Sequence, residues 1–241
     1  MYYIFKKEFN LFLSSLIGYV VMGVFLLMTG LFLWVFPDTS VLDNSFASMN
    51  SFFDMAPWIF MFLIPAITMR SFAEEKQSGT IELLLTKPLR EMEIVFGKFL
   101  ASFTLVLVAL LPTLIYYFSI RYLGSPPGNI DSGATFGSYF GLLMLGGVFT
   151  AVGVYASALT NNQIVAVIVA MFLCLVLYYF FGLISAMPVF VGKLDDFIQM
   201  LGLQYHYERV SRGAIDTRNA VYFLSMIALF LFLTKYILDK R

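Results

Sequence analysis

Long apolar stretches separated by short polar segments dominate the pattern of this chain. A helix needs about 20 mostly apolar residues to cross the hydrocarbon core of a bilayer. Stretches of this character occur at six places, so the pattern predicts an all-α protein with six transmembrane helices. We place these helices at about residues 16–36, 55–70, 99–120, 137–159, 164–187 and 220–238.

One boundary falls inside a continuous uncharged segment. Residues 132–192 contain no Asp, Glu, Lys or Arg. This length is too great for one spanning helix and fits two antiparallel helices. The only polar cluster inside it is Thr160, Asn161, Asn162 and Gln163, where we predict that the fourth helix ends and the fifth begins.

The N-terminal residues have an amphipathic pattern. Residues 1–13 predict a short helix on the membrane surface, with Lys6, Lys7, Glu8 and Asn10 facing water. The alternative is that they form a plain flank of the first spanning helix.

The segment before the last span is longer and mixed in character. Residues 188–218 join an apolar part to a polar part. The apolar part predicts short re-entrant helices, which membranes tolerate because helical hydrogen bonds close internally.

Proline and small residues mark special positions inside the spans. Pro65 and Pro112 each remove one helical hydrogen bond and predict kinks, either for packing or as gating hinges. The fourth span carries small residues four apart, a pattern that predicts close packing against an unspecified helix. These residues form the pairs Gly137 and Gly141, Gly147 and Ala151, and Gly153 and Ser157.

Composition supports an integral membrane protein. Hydrophobic residues make up 60% of the chain and charged residues only 12%, about half the share of a soluble domain. The formal net charge is zero, which gives no indication of a nucleic-acid partner. A single cysteine, Cys174, excludes an intrachain disulfide, and with the single histidine, His206, it gives no metal-site pattern.

The motifs of nucleotide-binding and hydrolytic enzymes are missing from the sequence. The chain has no Gly-x-x-x-x-Gly-Lys-Ser/Thr loop to hold phosphates and no Gly-x-Ser-x-Gly turn. The centres of the predicted spans carry no Asp, Glu, Lys, Arg or His, unlike those of many ion-coupled transporters. We therefore expect no cofactor in this chain, no enzymatic activity of its own, and energy supplied by a partner.

Loop charges predict the orientation. With both termini in the cytoplasm, ten of the fifteen Lys and Arg residues lie inside, as the positive-inside rule favours. The other five are Arg121, Lys193, Arg209, Arg212 and Arg218.

The densest charge cluster lies between the second and third spans. Residues 74–98, EEKQSGTIELLLTKPLREMEIVFGK, contain five acids and four bases. Ser78 and Gly79 are expected to end one helix, and residues 80–86 to form a short amphipathic helix that Pro88 stops.

The apolar face of this short helix, which contains Ile81, Leu84 and Leu85, must be covered by something. One candidate is the lipid headgroup region. The other is a groove on a soluble partner, as in helix-in-groove recognition.

Residues 69–100 closely resemble the first cytoplasmic loop of ABC-2 type transporter permeases. The matching residues, in order and spacing, are Glu74, Glu75, Gly79, Thr80, Glu82, Leu83, Leu84, Pro88, Gly97 and Lys98. Residues 208–225 and the six-span plan are also similar to that family. The amino-acid pattern of the chain is most similar to that of gliding-motility-associated ABC permease subunits of Bacteroidetes.

The resemblance implies a permease in the bacterial inner membrane, coupled to a separate ABC ATPase subunit that binds ATP and magnesium. It also implies a second permease copy or a related permease, and an auxiliary membrane protein with an extracytoplasmic domain. Gly97 and Lys98 would mark the return of the loop to the third span. The implied ATPase-docking residues are Glu74, Glu75, Gly79, Thr80, Ile81, Glu82, Leu83, Leu84, Leu85 and Pro88.

Two functions remain open from sequence. The leading one is ATP-driven transport or export. The alternative is a non-transporting scaffold or mechanical element that an ATPase partner drives.

Overall fold

Helices account for the regular structure throughout the described part of the chain. In this computed structural model the described residues are 1–37, 39–42, 47–82, 90–188, 192, 194–211, 213 and 216–240, with the side chain of residue 17 left out. Within these ranges no β-strand occurs. The chain is therefore an all-α protein, as the apolar pattern predicts.

Twelve α-helices lie within the described ranges. They are α1 Tyr2–Ser14, α2 Leu16–Trp34, α3 Asn50–Thr68, α4 Arg70–Gln77, α5 Glu91–Leu110, α6 Leu114–Leu123, α7 Ser132–Leu159, α8 Gln163–Leu175, α9 Phe181–Ser185, α10 Asp195–Gln199, α11 Leu203–Ser211 and α12 Thr217–Asp239. A 3₁₀ turn, Leu111–Thr113, joins α5 to α6, and a π-helical segment, Val176–Phe180, joins α8 to α9.

Five helical stretches in the described residues are long and apolar enough to cross a membrane. A sixth is added if α1 and α2, which meet at 69°, are counted as one bent span. The five are Asn50–Gln77, Glu91–Leu123, Ser132–Leu159, Gln163–Ser185 and Thr217–Asp239.

Several helices continue beyond the apolar cores from which we located the spans. The third span was placed at 99–120, yet α5 begins at Glu91; the fourth was placed at 137–159, yet α7 begins at Ser132. A helix ends where its backbone groups find other partners, not where its hydrophobicity ends. The Asp131 side chain caps α7 by accepting a hydrogen bond from the Ala134 N–H at 2.9 Å.

The helix α7 forms the centre of the bundle. The most apolar part of α7 is 78% buried inside the chain. The corresponding parts of Gln163–Ser185 and Thr217–Asp239 are 22% and 28% buried. It packs against α3, α5, α8, α11 and α12. The two peripheral stretches therefore present most of their apolar surface to the surroundings of the chain.

Glycines in α7 allow the close approaches that its central position requires. A Cβ at Gly153 would overlap the Thr68 side chain of α3. A Cβ at Gly147 would lie 2.9 Å from Ile227 Cδ1 on α12, and one at Gly141 would lie 3.0 Å from Val210 Cγ1 on α11. The small residues of this helix thus allow close contact with three different helices, α3, α11 and α12.

The prolines have different effects on their helices. Pro112 lies in the 3₁₀ turn that interrupts the third spanning stretch. Pro65 lies within α3, which continues to Thr68. The break that follows comes at Met69, between α3 and α4.

Two short helices, α10 and α11, precede the last span, and α10 lies in the apolar part of residues 188–218. The Tyr207 hydroxyl of α11 donates to the Phe53 carbonyl oxygen of α3 at 2.7 Å. Burial raises the pKa of Tyr207 well above its ordinary value, with Tyr178 and Asp54 adding to the shift. His206 lies between Asn219 Oδ1 at 2.8 Å and the Met200 carbonyl oxygen at 2.9 Å. These contacts attach α11 to both α3 and α12.

Met1 and the end of α12 lie at one end of the bundle. Met1 lies beside Gly97 of α5, and the last turns of α12 lie beside those of α7, where Tyr155 and Phe230 rings are 5.5 Å apart. The end of α4 and the start of α5 are at this same end. The starts of α3, α7 and α12 lie at the opposite end, which we call the far end.

Candidate functional site

The segment expected to contact a partner begins directly after α4. Gln77 ends α4, and Gly79 has a φ of +70°, a left-handed conformation that glycine adopts without the strain of a Cβ. The Ser78 hydroxyl donates to the Glu74 carbonyl oxygen at 2.9 Å and lies 2.9 Å from the Thr80 hydroxyl. The chain therefore turns sharply where the sequence predicts a break.

Three residues of the expected short helix lie within the described part of the chain. Thr80 lies in the turn, and Ile81 and Glu82 are helical; Ile81 is buried, whereas Glu82 is exposed. Leu83, Leu84, Leu85 and Pro88 lie outside the described residues.

A buried lysine lies behind this segment. The Lys98 side chain is 1% exposed, and its Nζ lies 2.8 Å from Glu8 Oε1 and 3.0 Å from Glu75 Oε2. Lys7 Nζ lies 3.1 Å from Glu75 Oε1. We call Lys7, Glu8, Glu75 and Lys98 the charged junction. It joins three helices, because these residues belong to α1, α4 and α5.

The charged junction is balanced in sign. A buried charge is costly unless it is paired and hydrogen-bonded. The ammonium of Lys98 lies between two carboxylates, those of Glu8 and Glu75. Its Nζ also lies 5.1 Å from the centre of the Phe72 ring, a favourable cation–π position. Separation of α1 from α4 would remove one of these partners from Lys98.

Two expectations about these residues are corrected by the structure. Glu8 was expected to face water, but its side chain is 13% exposed because it reaches Lys98. Gly97 and Lys98 were expected at the return of the loop, but α5 begins at Glu91 and contains both. The polar residues at the start of α5 lengthen the helix beyond its apolar core.

Gly97 explains how α1 approaches so closely. A Cβ at Gly97 would lie 3.1 Å from Ile4 Cβ and 3.3 Å from the Met1 carbonyl oxygen. Either contact is tighter than an ordinary van der Waals contact. The absence of a side chain at Gly97 thus allows α1 to lie across α5, which brings Glu8 to Lys98.

A second set of contacts attaches α4 to the central helix. The Ser157 hydroxyl of α7 accepts from the N–H groups of Phe72 and Ala73, each at 3.0 Å, and donates to the Met69 carbonyl oxygen at 2.8 Å. Ser157 therefore satisfies backbone groups freed by the break between α3 and α4. Lys76 Nζ donates to the Ala158 carbonyl oxygen close by.

The adjacent acids Glu74 and Glu75 have different surroundings. The Glu75 side chain is 14% exposed and belongs to the charged junction. The Glu74 side chain is 54% exposed and lies 3.8 Å from Arg70 Nε. Of this pair, Glu75 holds helices together, whereas Glu74 is available at the surface.

A cavity of about 360 Å³ lies beside the charged junction. Its walls include Leu11 of α1, Ser15 between α1 and α2, and Arg70 and Thr80 from the α4 side. The space separates the end of α1 from the turn after α4.

The sequence did not identify several residues of this site. Lys7, Phe72, Lys76 and Ser157 have no part in the loop motif, and Glu8 was assigned to the water face. One signal was present: Lys98 is a single charge at the edge of an apolar stretch, and such a charge needs a partner. The identity of that partner depends on a contact between residues 90 positions apart.

The comparison with known proteins assigns the family. A family model described as ABC-2 family transporter protein matches residues 2–241, which is nearly the whole chain. No curated protein matches the chain. With its apolar spanning helices, this full-length match shows that the chain is a multi-pass membrane protein of the ABC-2 transporter family and a permease subunit of an ABC transporter.

Proposed function

We propose that this permease couples ATP hydrolysis in a separate ATPase subunit to transport across the membrane, and that it does so through the charged junction. The observation that carries the proposal is the buried Lys98, whose ammonium lies between Glu8 and Glu75. A force applied to the segment after α4 would be transmitted through Glu75 to Lys98, and from there to α1 and α5.

The docking segment is the stretch that follows α4. Gly79, Thr80 and Glu82 are exposed at its start, and Glu74 is exposed on α4 just before it, as a partner surface requires. The apolar residues Leu83, Leu84 and Leu85 would supply most of the docking free energy, and Pro88 would end the helix. The ATP and magnesium would be held by the partner.

The orientation that this function needs has both termini in the cytoplasm. The end of α4 and the start of α5 lie at the same end of the bundle as Met1 and the end of α12, so one orientation would bring all of them to an ATPase in the cytoplasm. The Lys and Arg bias favours that orientation in a bacterial inner membrane.

The assembly would contain a second permease, either a copy of this chain or a related one, with two ATPase subunits. The resemblance of residues 69–100 to gliding-motility permeases extends the proposal to that process and to an auxiliary membrane protein with an extracytoplasmic domain. Loss of surface spreading after deletion of the gene in its own bacterium would support this extension, and unchanged spreading would remove it.

The coupling route is tested by distances measured in the assembled complex. In a Cys174→Ser background, dyes at Lys6→Cys and Gln77→Cys report on α1 and on the end of α4. When ATP is added, the distance between the dyes at Lys6→Cys and Gln77→Cys should stay constant. The distance between dyes at Gln77→Cys and Lys240→Cys should change. Lys98→Met should allow α1 and α4 to move apart. A change in the distance between Lys6→Cys and Gln77→Cys in the otherwise unaltered complex would contradict this coupling route.

A further inference from the structure

Two residues that line the cavity beside the charged junction have a buried polar atom without a hydrogen bond to the described part of the chain. These atoms are Arg70 Nε, a donor, and Glu75 Oε2, an acceptor. The cavity has a volume of about 360 Å³. A buried polar atom without a hydrogen bond is costly, so one beside a cavity indicates a partner that occupies the cavity.

The opposite charges close to these two atoms do not satisfy them. Glu74 Oε2 lies 3.8 Å from Arg70 Nε, which is beyond hydrogen-bonding distance. Lys98 Nζ lies 3.0 Å from Glu75 Oε2, close enough for an ion pair but outside hydrogen-bonding geometry. One donor and one acceptor therefore remain for a ligand in this cavity.

The charges around the cavity are balanced in sign. Its described lining contains three cations and three acids, which are Lys7, Arg70, Lys98, Glu8, Glu74 and Glu75. A ligand with a net charge would bring into this space a charge that the lining does not offset, and an unpaired buried charge is costly. The lining therefore favours a ligand that is neutral overall and carries both a negative and a positive group.

The cavity also lies beside apolar side chains that are exposed. Leu11 of α1 lines it and is 54% exposed, and Leu16, which follows Ser15 of the lining, is 80% exposed at the start of α2. Arg70 is the first charged residue after the apolar run of α3. Charged side chains at the end of an apolar span lie at the level of the lipid headgroups. Charged and apolar surfaces therefore meet at this level.

We propose that this cavity binds the headgroup of a phospholipid that carries a primary ammonium, such as phosphatidylethanolamine. The phosphate accepts a hydrogen bond from Arg70 Nε. The ammonium donates to Glu75 Oε2, with Glu74 as a second carboxylate, and the acyl chains lie along Leu11 and Leu16. Binding requires only this chain, so the site goes beyond the coupling function and does not depend on an ATPase.

The headgroup chemistry makes the proposal selective among phospholipids. A choline headgroup carries the same two charges, but its quaternary ammonium has no N–H to donate to Glu75. A glycerol headgroup leaves the lipid with a net negative charge and brings no cation to the two carboxylates. Both lipids should therefore bind more weakly than the ethanolamine lipid.

The experiment measures which lipids stay bound to the purified chain. The protein is placed in bilayers that contain equal amounts of phosphatidylethanolamine, phosphatidylcholine and phosphatidylglycerol with identical acyl chains. Native mass spectrometry then quantifies the lipids retained after detergent extraction. We expect the ethanolamine lipid to be enriched about two- to tenfold, the effect of one hydrogen bond. Equal retention of the three lipids, or enrichment of either other lipid, would overturn the proposal.

Arg70→Gln locates the site. The substitution removes the donor to the phosphate and should abolish most of the enrichment. Arg218→Gln, at an exposed arginine of the far end, is the matched control and should leave the enrichment unchanged. If Arg70→Gln does not fold, Glu74→Gln at an exposed side chain should lower the preference for ethanolamine over choline. Full enrichment in the folded variant would exclude this cavity as the site.

Inorganic phosphate distinguishes a lipid from a free anion. Phosphate added in excess during extraction should leave the ethanolamine lipid bound, because the ion has neither the ammonium nor the acyl chains. Displacement of the lipid by phosphate alone would show that the cavity takes an anion, and would overturn the proposal.

Discussion

Glu8 and Lys98 are 90 positions apart in the chain, yet Glu8 Oε1 lies 2.8 Å from Lys98 Nζ. The contact joins the N-terminal helix α1 to α5. Glu75 completes it from a third helix, 3.0 Å from the same ammonium. Loss of any one carboxylate therefore changes how three helices are held, and this consequence can be measured.

Glu75→Gln should destabilise the chain. The substitution removes one of the two carboxylates that pair with the buried Lys98, and breaking a buried ion pair by removing one partner costs up to about 3–5 kcal/mol. Thermal unfolding of the purified protein, followed through the fluorescence of Trp34 and Trp58, should show a lower Tm. Glu74→Gln, at the exposed neighbour, is the matched control and should stay within about 0.5 kcal/mol of the parent.

A second variant separates a charge effect from a packing effect at the charged junction. Lys98→Met combined with Glu75→Gln removes both members of the pair, and replacing a buried pair by neutral groups is often close to neutral. The double variant should therefore recover part of the stability that Glu75→Gln loses. Equal Tm values for Glu75→Gln and Glu74→Gln would contradict the assigned role of Lys98.

Gly153→Ala should disturb the crossing of α3 and α7. The added Cβ would overlap the Thr68 side chain, and overpacking of a close-packed interior costs about 1–3 kcal/mol. Thr68→Ala in the same chain should recover part of this loss by removing the hydroxyl. Gly23→Ala on α2, where a Cβ would meet nothing within 4 Å, is the control. Unfolding temperatures that do not differ between Gly153→Ala and Gly23→Ala would contradict the close approach.

Leu84→Asp should release the ATPase subunit while the permease stays folded and inserted. Burial of one leucine side chain is worth about 1.5–3 kcal/mol, so the loss weakens binding roughly ten- to a hundredfold. The measurement is co-purification of the ATPase at matched permease expression. Leu42→Asp, at an exposed leucine of the far end, is the control. Equal ATPase recovery with Leu84→Asp and the parent chain would instead favour a membrane-surface role for this face.

Labelling of single cysteines tests the orientation. In a Cys174→Ser background, Gln77→Cys should react with an impermeant thiol reagent only after the membrane is opened, and Asp196→Cys should react in intact cells. Both positions are exposed in the structure, whereas neighbouring Lys76 is buried against α7 and would report poorly. The reverse pattern of labelling would place both termini outside the cytoplasm.

The sequence alone determined the class of the protein and most of its elements. Twenty-residue apolar stretches require helices in a bilayer, because no water is available to satisfy the backbone. The polar cluster at 160–163 separated two helices, and Ser78 and Gly79 ended another, because capping and backbone freedom are local properties of these residues. The loop pattern at 69–100 indicated the ABC-2 family, to which the match over residues 2–241 assigns the chain.

Only the tertiary structure decided which elements meet. Small residues spaced four apart in α7 predicted close packing, but the glycines among them contact three different neighbours: Thr68 at Gly153, Ile227 at Gly147 and Val210 at Gly141. The water-facing assignment of Glu8 followed the helical pattern and was wrong, because a buried lysine on α5 attracts its carboxylate more strongly than solvent does. The π-helical turn at Tyr178 was equally absent from the pattern. Such pairings depend on the summed packing of distant helices, and no local window of sequence contains that information.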